Sequence, residues 1–156
     1  MGRNKFGHTV IRVLFFLYCG IMLCMLFGRS AQNSGADYLH SIRENINIIP
    51  MKTTMNFIRA FIAPSDSDAF RRAWINLFGN IVVFVPLGIF LPVIWQNQRR
   101  SRVFFTTASI VILAVEFLQL FTLRGICDVD DYLLNMLGLF AGFALFHLCS
   151  VDRKPE

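Results

Sequence analysis

Four uninterrupted apolar runs, each about as long as a bilayer is thick, leave this sequence few folds to choose from. They cover residues 10–27, 74–95, 103–123 and 132–149. A helix rises about 1.5 Å per residue, so about 20 residues cross a hydrocarbon core of roughly 30 Å. In that core every backbone N–H and C=O must be satisfied within the protein, which predicts an all-α membrane protein of four transmembrane helices. The second run is the best delimited, because Trp74 and Trp95 bracket it about 32 Å apart along a helix, where interfacial aromatic anchors belong. Composition agrees. Charged residues are 16% of the chain against about 25% for a soluble domain, hydrophobic residues are 55%, and mean hydropathy is +0.54, which excludes both a water-soluble fold and a disordered chain. The net charge of +5 is spread between the apolar runs rather than gathered in a stripe, so no nucleic-acid partner is expected.

The basic residues read instead as topology signals. Arg3, Lys5 and Arg12 lie at or near the start of the first run, Arg99, Arg100 and Arg102 crowd the link between the second and third, and Arg153 and Lys154 follow the fourth. All eight fall on one side if both termini are cytoplasmic, which is the expected orientation. The opposite side receives the long segment 29–73 and the link 124–131. The expected organisation is an N-terminal transmembrane helix at 1–28, an extracytoplasmic segment at 29–73 and a cytoplasmic tail at 147–156. The first run has a rival reading as a cleaved signal peptide, with Ser34 and Ala36 placed for a small-residue cleavage site. Cleavage would leave the other three spans in the same orientation.

Within 29–73, Met51, Met55, Ile58 and Ile62 recur at helical spacing behind Pro50, with Lys52, Asn56 and Arg59 between them, predicting an amphipathic helix in the membrane interface. Ser65 and Asp68 form a capping pair ahead of Phe70, which would start the second membrane helix in water and set Arg71 and Arg72 at headgroup level.

Polar residues are costly in a bilayer and face the bundle interior or a cavity. The second span carries Asn76 and Asn80 on one face, continued by Gly88; the third carries Glu116 and Gln119; the fourth begins with Asp131 and Asn135, continued by Gly138 and Gly142. The preceding link supplies Arg124, Asp128 and Asp130. Glu116 stands about 10 Å inside the outer end of its helix by helical rise. Three helices thus aim polar stripes at one outer-leaflet region. A carboxylate at Glu116 must be protonated, paired or wet, and Arg124 is its natural partner, with Asn80 or Asn135 able to donate hydrogen bonds. The bland alternative is that these groups merely hold the helices together, as Gly138-x-x-x-Gly142 does in close helix packing. Pro86 and Pro92 would kink the second span. Asp128, Asp130 and Asp131 could attract a divalent cation, but with no EF-hand loop and no histidine nearby no metal site is expected, and no cofactor either. The four cysteines make no disulfide framework.

The run EFLQLFTLRGICDVDDYLLNMLGLFAG, residues 116–142, resembles the second half of VanZ-like membrane proteins: a Glu-x-x-Gln pair, an Arg, an Asp-rich turn, then Asn-x-x-Gly. Glu116, Gln119, Arg124, Asp128, Asp131, Asn135 and Gly138 fall on that pattern. NIIPMKTTMNFI is similar to the family's Asn-Leu-Ile-Pro-Phe segment, with Met51 in place of the usual aromatic, and INLFGNIVVFVPLGIFLP is similar to its second-helix signature. The resemblance covers residues 46–146 and implies a bacterial cell-membrane protein, whose family namesake is linked to low-level resistance to the lipoglycopeptide teicoplanin.

Two functional expectations follow. In the first, a non-enzymatic envelope protein uses Asn76, Asn80, Glu116, Gln119, Arg124, Asp128, Asp131 and Asn135 to engage a membrane lipid, a cell-wall precursor or a lipophilic antibiotic. In the second, a membrane enzyme uses Glu116, Asp128 or Asp131 as general acid or base on a lipid-linked substrate, with Arg124 holding a phosphate. The lack of an obvious nucleophile weighs against the second. A small transporter or proton path is disfavoured by the apolar cytoplasmic halves of the spans.

Overall fold

Each apolar run becomes one helix. The computed structural model describes residues 2–28, 37–62 and 67–151. In chain order it comprises α1 (Gly2–Phe27), α2 (Tyr38–Glu44), β1 (Ile46–Asn47), α3 (Lys52–Ile62), α4 (Ser67–Ile94), a 3-10 turn at Gln96–Arg99, α5 (Ser101–Phe121), β2 (Cys127–Asp128) and α6 (Val129–Val151). Segments Phe6–Phe27, Trp74–Ile94, Ser101–Phe121 and Val129–Ser150 are long and apolar enough to cross a membrane. Ser34, Ala36, Ser65, Arg153 and Lys154 lie outside the described residues, as do the side chains of Arg3, Lys5, Lys52 and Arg72.

The helix ends differ from the apolar runs by a few residues. Helical hydrogen bonding carries α1, α4 and α6 past their apolar boundaries into polar flanks. By contrast α5 stops at Phe121, two residues short of the expected end. Leu123 adopts φ 52°, the Arg124 N–H bonds back to the Gln119 carbonyl and the Leu123 N–H to the Leu120 carbonyl. That is a Schellman closure with leucine where glycine is usual. Leu123 is buried, so packing offsets the cost of the left-handed backbone.

Packing in a bilayer depends on close approach rather than on apolar burial from water. The most extensive helix contact is between α4 and α6, and glycine makes it possible. A Cβ on Gly138 would run into the Ile81 carbonyl, one on Gly142 into the Val85 carbonyl, and one on Gly88 into the Leu139 carbonyl. Ile81 faces Gly138 and Val85 faces Gly142, so α4 and α6 run in the same direction, as alternate spans of a bundle must. The core between α4, α5 and α6 holds Phe84, Phe104, Ala108, Ile112 and Leu139, all fully buried, with Phe104 stacked on Phe143 at 4.2 Å.

Only 6% of the α1 span is buried, against 28–33% for the other three, so α1 presents most of its surface to the surroundings. It is nonetheless anchored. The Tyr18 hydroxyl donates to the Val83 carbonyl one turn ahead of Pro86, and Phe15 packs edge-on against Phe90 and Trp95. Both prolines lie inside α4, which continues across them. Outside the spans, α3 is a strongly amphipathic helix on which Ile58 is half-buried while Met55 and Ile62 remain exposed. The short β1 and β2 pair in parallel, Ile46 with Cys127 and Asn47 with Asp128, tying the segment before α3 to the link before α6.

Candidate functional site

The parallel packing of α4 on α6 sets Asn76 and Asn80 beside the first turns of α6. Their side-chain amides both donate to Asp131 Oδ1, at 3.3 Å and 2.7 Å. From the other side α5 brings Glu116, whose Oε1 accepts from the Asn135 amide at 3.4 Å. Glu116 is 3% exposed and Asn135 2%. Glu116 Oε2 and Asn135 Oδ1 are buried without a hydrogen-bond partner, the kind of group that calls for an explanation in a folded protein.

These side chains surround a cavity of about 120 Å³, several times the room one water needs. Asn76, Asn80, Glu116, Gln119, Asp131 and Asn135 line it, together with Met25 and Leu26 of α1, Ile75, Gly79 and Val83 of α4, and Gly125 and Ile126 of the link. A second cavity of about 200 Å³ lies alongside, almost wholly apolar, walled by Ile46, Ile48, Leu113, Val129 and Tyr132, with Asn47, Cys127 and Asp128 at its edge. Glu116 lines both cavities.

Two of the residues expected at the site make their side-chain hydrogen bonds to the end of α1. Arg124 does not pair with Glu116: it is exposed and its guanidinium donates to the carbonyl of Phe27, the last residue of α1. Gln119 lines the cavity but sends its amide to the Leu26 carbonyl at 3.0 Å. A helix end leaves its final carbonyls without intrahelical partners, and a cation beside them is doubly favourable because it also meets the negative end of the helix dipole. Gln119 and Arg124 thus close the C-terminal end of α1. Gly125 leaves the space that the Gln119 side chain occupies; a Cβ there would meet it at 3.0 Å.

The three aspartates of the link, alike in sequence, do three different things. Asp128 is the N-cap of α6: its Oδ1 accepts from the Asp130 N–H at 2.9 Å, while its Oδ2 accepts from the Asn47 amide at 3.1 Å. Asp130, 1% exposed, caps a different helix. Its Oδ1 takes the Met51 N–H at 2.6 Å and its Oδ2 the Thr54 N–H at 2.8 Å, so α3 is capped from α6 rather than from its own sequence. Met51, at φ 65°, makes the turn that aims these amides. Asp131 alone faces the polar cavity. Among the described residues no three His, Cys, Asp or Glu side chains converge in a metal-binding arrangement. Burial pushes the Cys127 thiol above its ordinary pKa, and the nearby Glu116 and Asp128 carboxylates push the same way.

Sequence reasoning grouped Asp130 with Asp128 and Asp131 as an acidic cluster and did not find that it caps α3, that Asn47 bonds Asp128, or that α1 contributes to the cavity. Gly79 and Val83 were accessible, since they continue the Asn76 and Asn80 stripe at helical spacing. Met25 and Leu26 carry no polar signal at all.

A four-span helical bundle with amides and carboxylates of three helices gathered at one end defines a class of small multi-pass membrane proteins with a polar cavity at that end. Residues 15–150 match the model of the VanZ/LLP1 family, and the chain belongs to that family. No curated protein and no solved structure matches it.

Proposed function

We propose that this chain is a non-enzymatic protein of the bacterial cell membrane, oriented with both termini in the cytoplasm. In that reading the polar cavity opens at the outer leaflet and takes the polar head of an amphiphile: a membrane lipid, a lipid-linked cell-wall precursor or a lipophilic antibiotic. The observation that carries this reading is Glu116, a buried carboxylate with an unpartnered oxygen that stands between a polar cavity and an apolar one. An amphiphile is the kind of ligand that fills both. The exposed apolar face of α3 supports the same picture, since it suits a helix lying on the outer membrane surface beside the entrance. Lowered susceptibility to teicoplanin-type lipoglycopeptides follows as one consequence of engaging such a molecule.

The test is susceptibility to teicoplanin in a sensitive host expressing the wild type or Glu116→Gln at equal membrane levels. Wild type is expected to raise the inhibitory concentration and the variant to lose that effect. No change with either would remove the resistance role.

An enzymatic reading keeps one supporting observation, the same unpartnered Glu116 oxygen, positioned as a general base would be. Against it, none of the described residues lining the polar cavity is Ser, Thr, Tyr, Cys, His or Lys, although Cys127 and Tyr132 line the apolar cavity that Glu116 also borders. Mass spectrometry of lipids and wall precursors from cells overexpressing the protein separates the two readings: a new product supports catalysis, and unchanged profiles support binding alone.

A further inference from the structure

We infer that the head this cavity selects carries neighbouring hydroxyl groups, as a glycerol or a sugar does, and that they satisfy Glu116 and Asn135; the inference rests on the binding function proposed above and names the chemistry of its ligand. Glu116 and Asn135 are 3% and 2% exposed, and both line the polar cavity. The Asn135 amide donates to Glu116 Oε1 at 3.4 Å, which joins the two groups through one atom of each. Their other two atoms, Glu116 Oε2 and Asn135 Oδ1, are buried without a partner. A buried polar atom in that position calls for a bound group that pairs with it.

Hydroxyls suit this pair in either protonation state of Glu116. As the neutral acid, Oε2 carries a proton to donate and Oδ1 can only accept. One hydroxyl oxygen then takes the proton from Glu116 and gives its own to Asn135. As the carboxylate, both oxygens accept, and two hydroxyls on adjacent carbons donate one bond to each. An ammonium donates and never accepts, so it serves only the ionised form. A fully ionised phosphate accepts and never donates, so it leaves Asn135 Oδ1 unsatisfied in both. A trans peptide group sends its N–H and C=O in opposite directions and does not reach two adjoining side chains at once.

The rest of the wall continues the match. Asn76 and Asn80 each give an N–H to Asp131, and Gln119 gives one to the Leu26 carbonyl. A primary amide holds a second N–H and a carbonyl oxygen besides, the same mixture of donor and acceptor that a hydroxyl presents. A polar cavity of about 120 Å³ has room for more than one water-sized group, which a diol supplies. Beyond Glu116, the apolar cavity walled by Ile46, Leu113 and Val129 receives the start of the apolar tail.

The experiment uses the purified full-length protein in an amine-oxide detergent, whose head has no hydroxyl, with lipid retention read by native mass spectrometry. Two pairs of lipids with identical acyl chains are compared. Phosphatidylglycerol is set against phosphatidylpropanol, the same anionic head without its hydroxyls, and monoglucosyl diacylglycerol against its peracetylated form. Wild type is expected to retain the hydroxylated member of at least one pair about tenfold better, the worth of two ordinary hydrogen bonds. Preference in the first pair identifies a glycerol head and in the second a sugar, and either supports the inference. Asn135→Leu, which removes Oδ1 at similar volume, is expected to bring the ratio to about one. A preference that survives this change in a folded variant overturns the placement at Glu116 and Asn135. Equal retention within both pairs overturns the hydroxyl inference and leaves amphiphile binding intact, with water as the group beside Glu116. Retention of no lipid overturns both. The wild-type ratios decide the inference by themselves should the variant not fold.

Discussion

Replacing Asp130 with alanine should release α3 without unfolding the bundle. The carboxylate accepts two hydrogen bonds, from Met51 N–H at 2.6 Å and from Thr54 N–H at 2.8 Å, and is 1% exposed, so water does not simply take its place. Losing an N-cap costs about 0.5–2 kcal/mol, and each hydrogen bond to a charged acceptor contributes about 1.5–3 kcal/mol. The two are not additive, because the freed amides find partial hydration once α3 loosens, and a net cost of about 2–3 kcal/mol is expected. That corresponds to a roughly 30- to 150-fold rise in amide exchange. Hydrogen exchange followed by mass spectrometry reads it directly: the rise is confined to the α3 peptide, while α4, α5 and α6 keep their protection. Asp130→Asn, which retains one acceptor, should fall between the two. Unchanged exchange in α3 would refute the capping role. An equal rise in every helix would show that Asp130 holds the whole bundle rather than one helix of it.

Gly138→Ala should lower the Tm in detergent, because its Cβ would meet the Ile81 carbonyl, whereas Gly20→Ala, with nothing within 4 Å, should leave it unchanged or slightly higher. Equal effects at both positions would contradict the packing described for α4 and α6. The Cys127 thiol has a raised pKa, so less thiolate is present at any given pH; alkylation should be slower than for an ordinary thiol at pH 8 and still rising past pH 9. Glu116→Gln should speed it by removing a carboxylate that disfavours the thiolate, and a rate indifferent to that change would count against their proximity. An epitope tag placed at the N-terminus should stay on the mature protein, because Tyr18, Gln119 and Arg124 tie α1 to the rest of the chain. Recovery of a tagless chain starting near residue 37 would favour the signal-peptide reading.

What could be read from the sequence was whatever depends on periodicity within one element. Four apolar runs become four helices because each run carries its own hydrogen bonding, and the polar stripes of Asn76 and Asn80, Glu116 and Gln119, and Asp131 and Asn135 meet around one cavity because each follows a helix face. What escaped depends on partners without a side-chain signature. Arg124 looks like a counterion for Glu116 in a list of charges, yet the group it meets is a backbone carbonyl, which every residue possesses. Asp128, Asp130 and Asp131 read as one acidic cluster, but helical geometry at the start of α6 sends them to three separate partners. The strands are two residues each, too short for any alternation, and α2 is only seven residues long. The end of α5 was misplaced because a buried leucine occupies the left-handed position that glycine ordinarily marks.

The central claim concerns the space beside Glu116. A cryo-electron microscopy map of the protein in nanodiscs made from native lipid extract examines it without assuming the ligand. The expected result is non-protein density in the polar cavity within hydrogen-bonding distance of Glu116 and Asn135, continuing past Glu116 into the apolar cavity. A map in which both cavities are closed by the protein's own side chains, with Glu116 sealed against Asn135 and Asp131, would contradict the account and make these residues struts of the bundle.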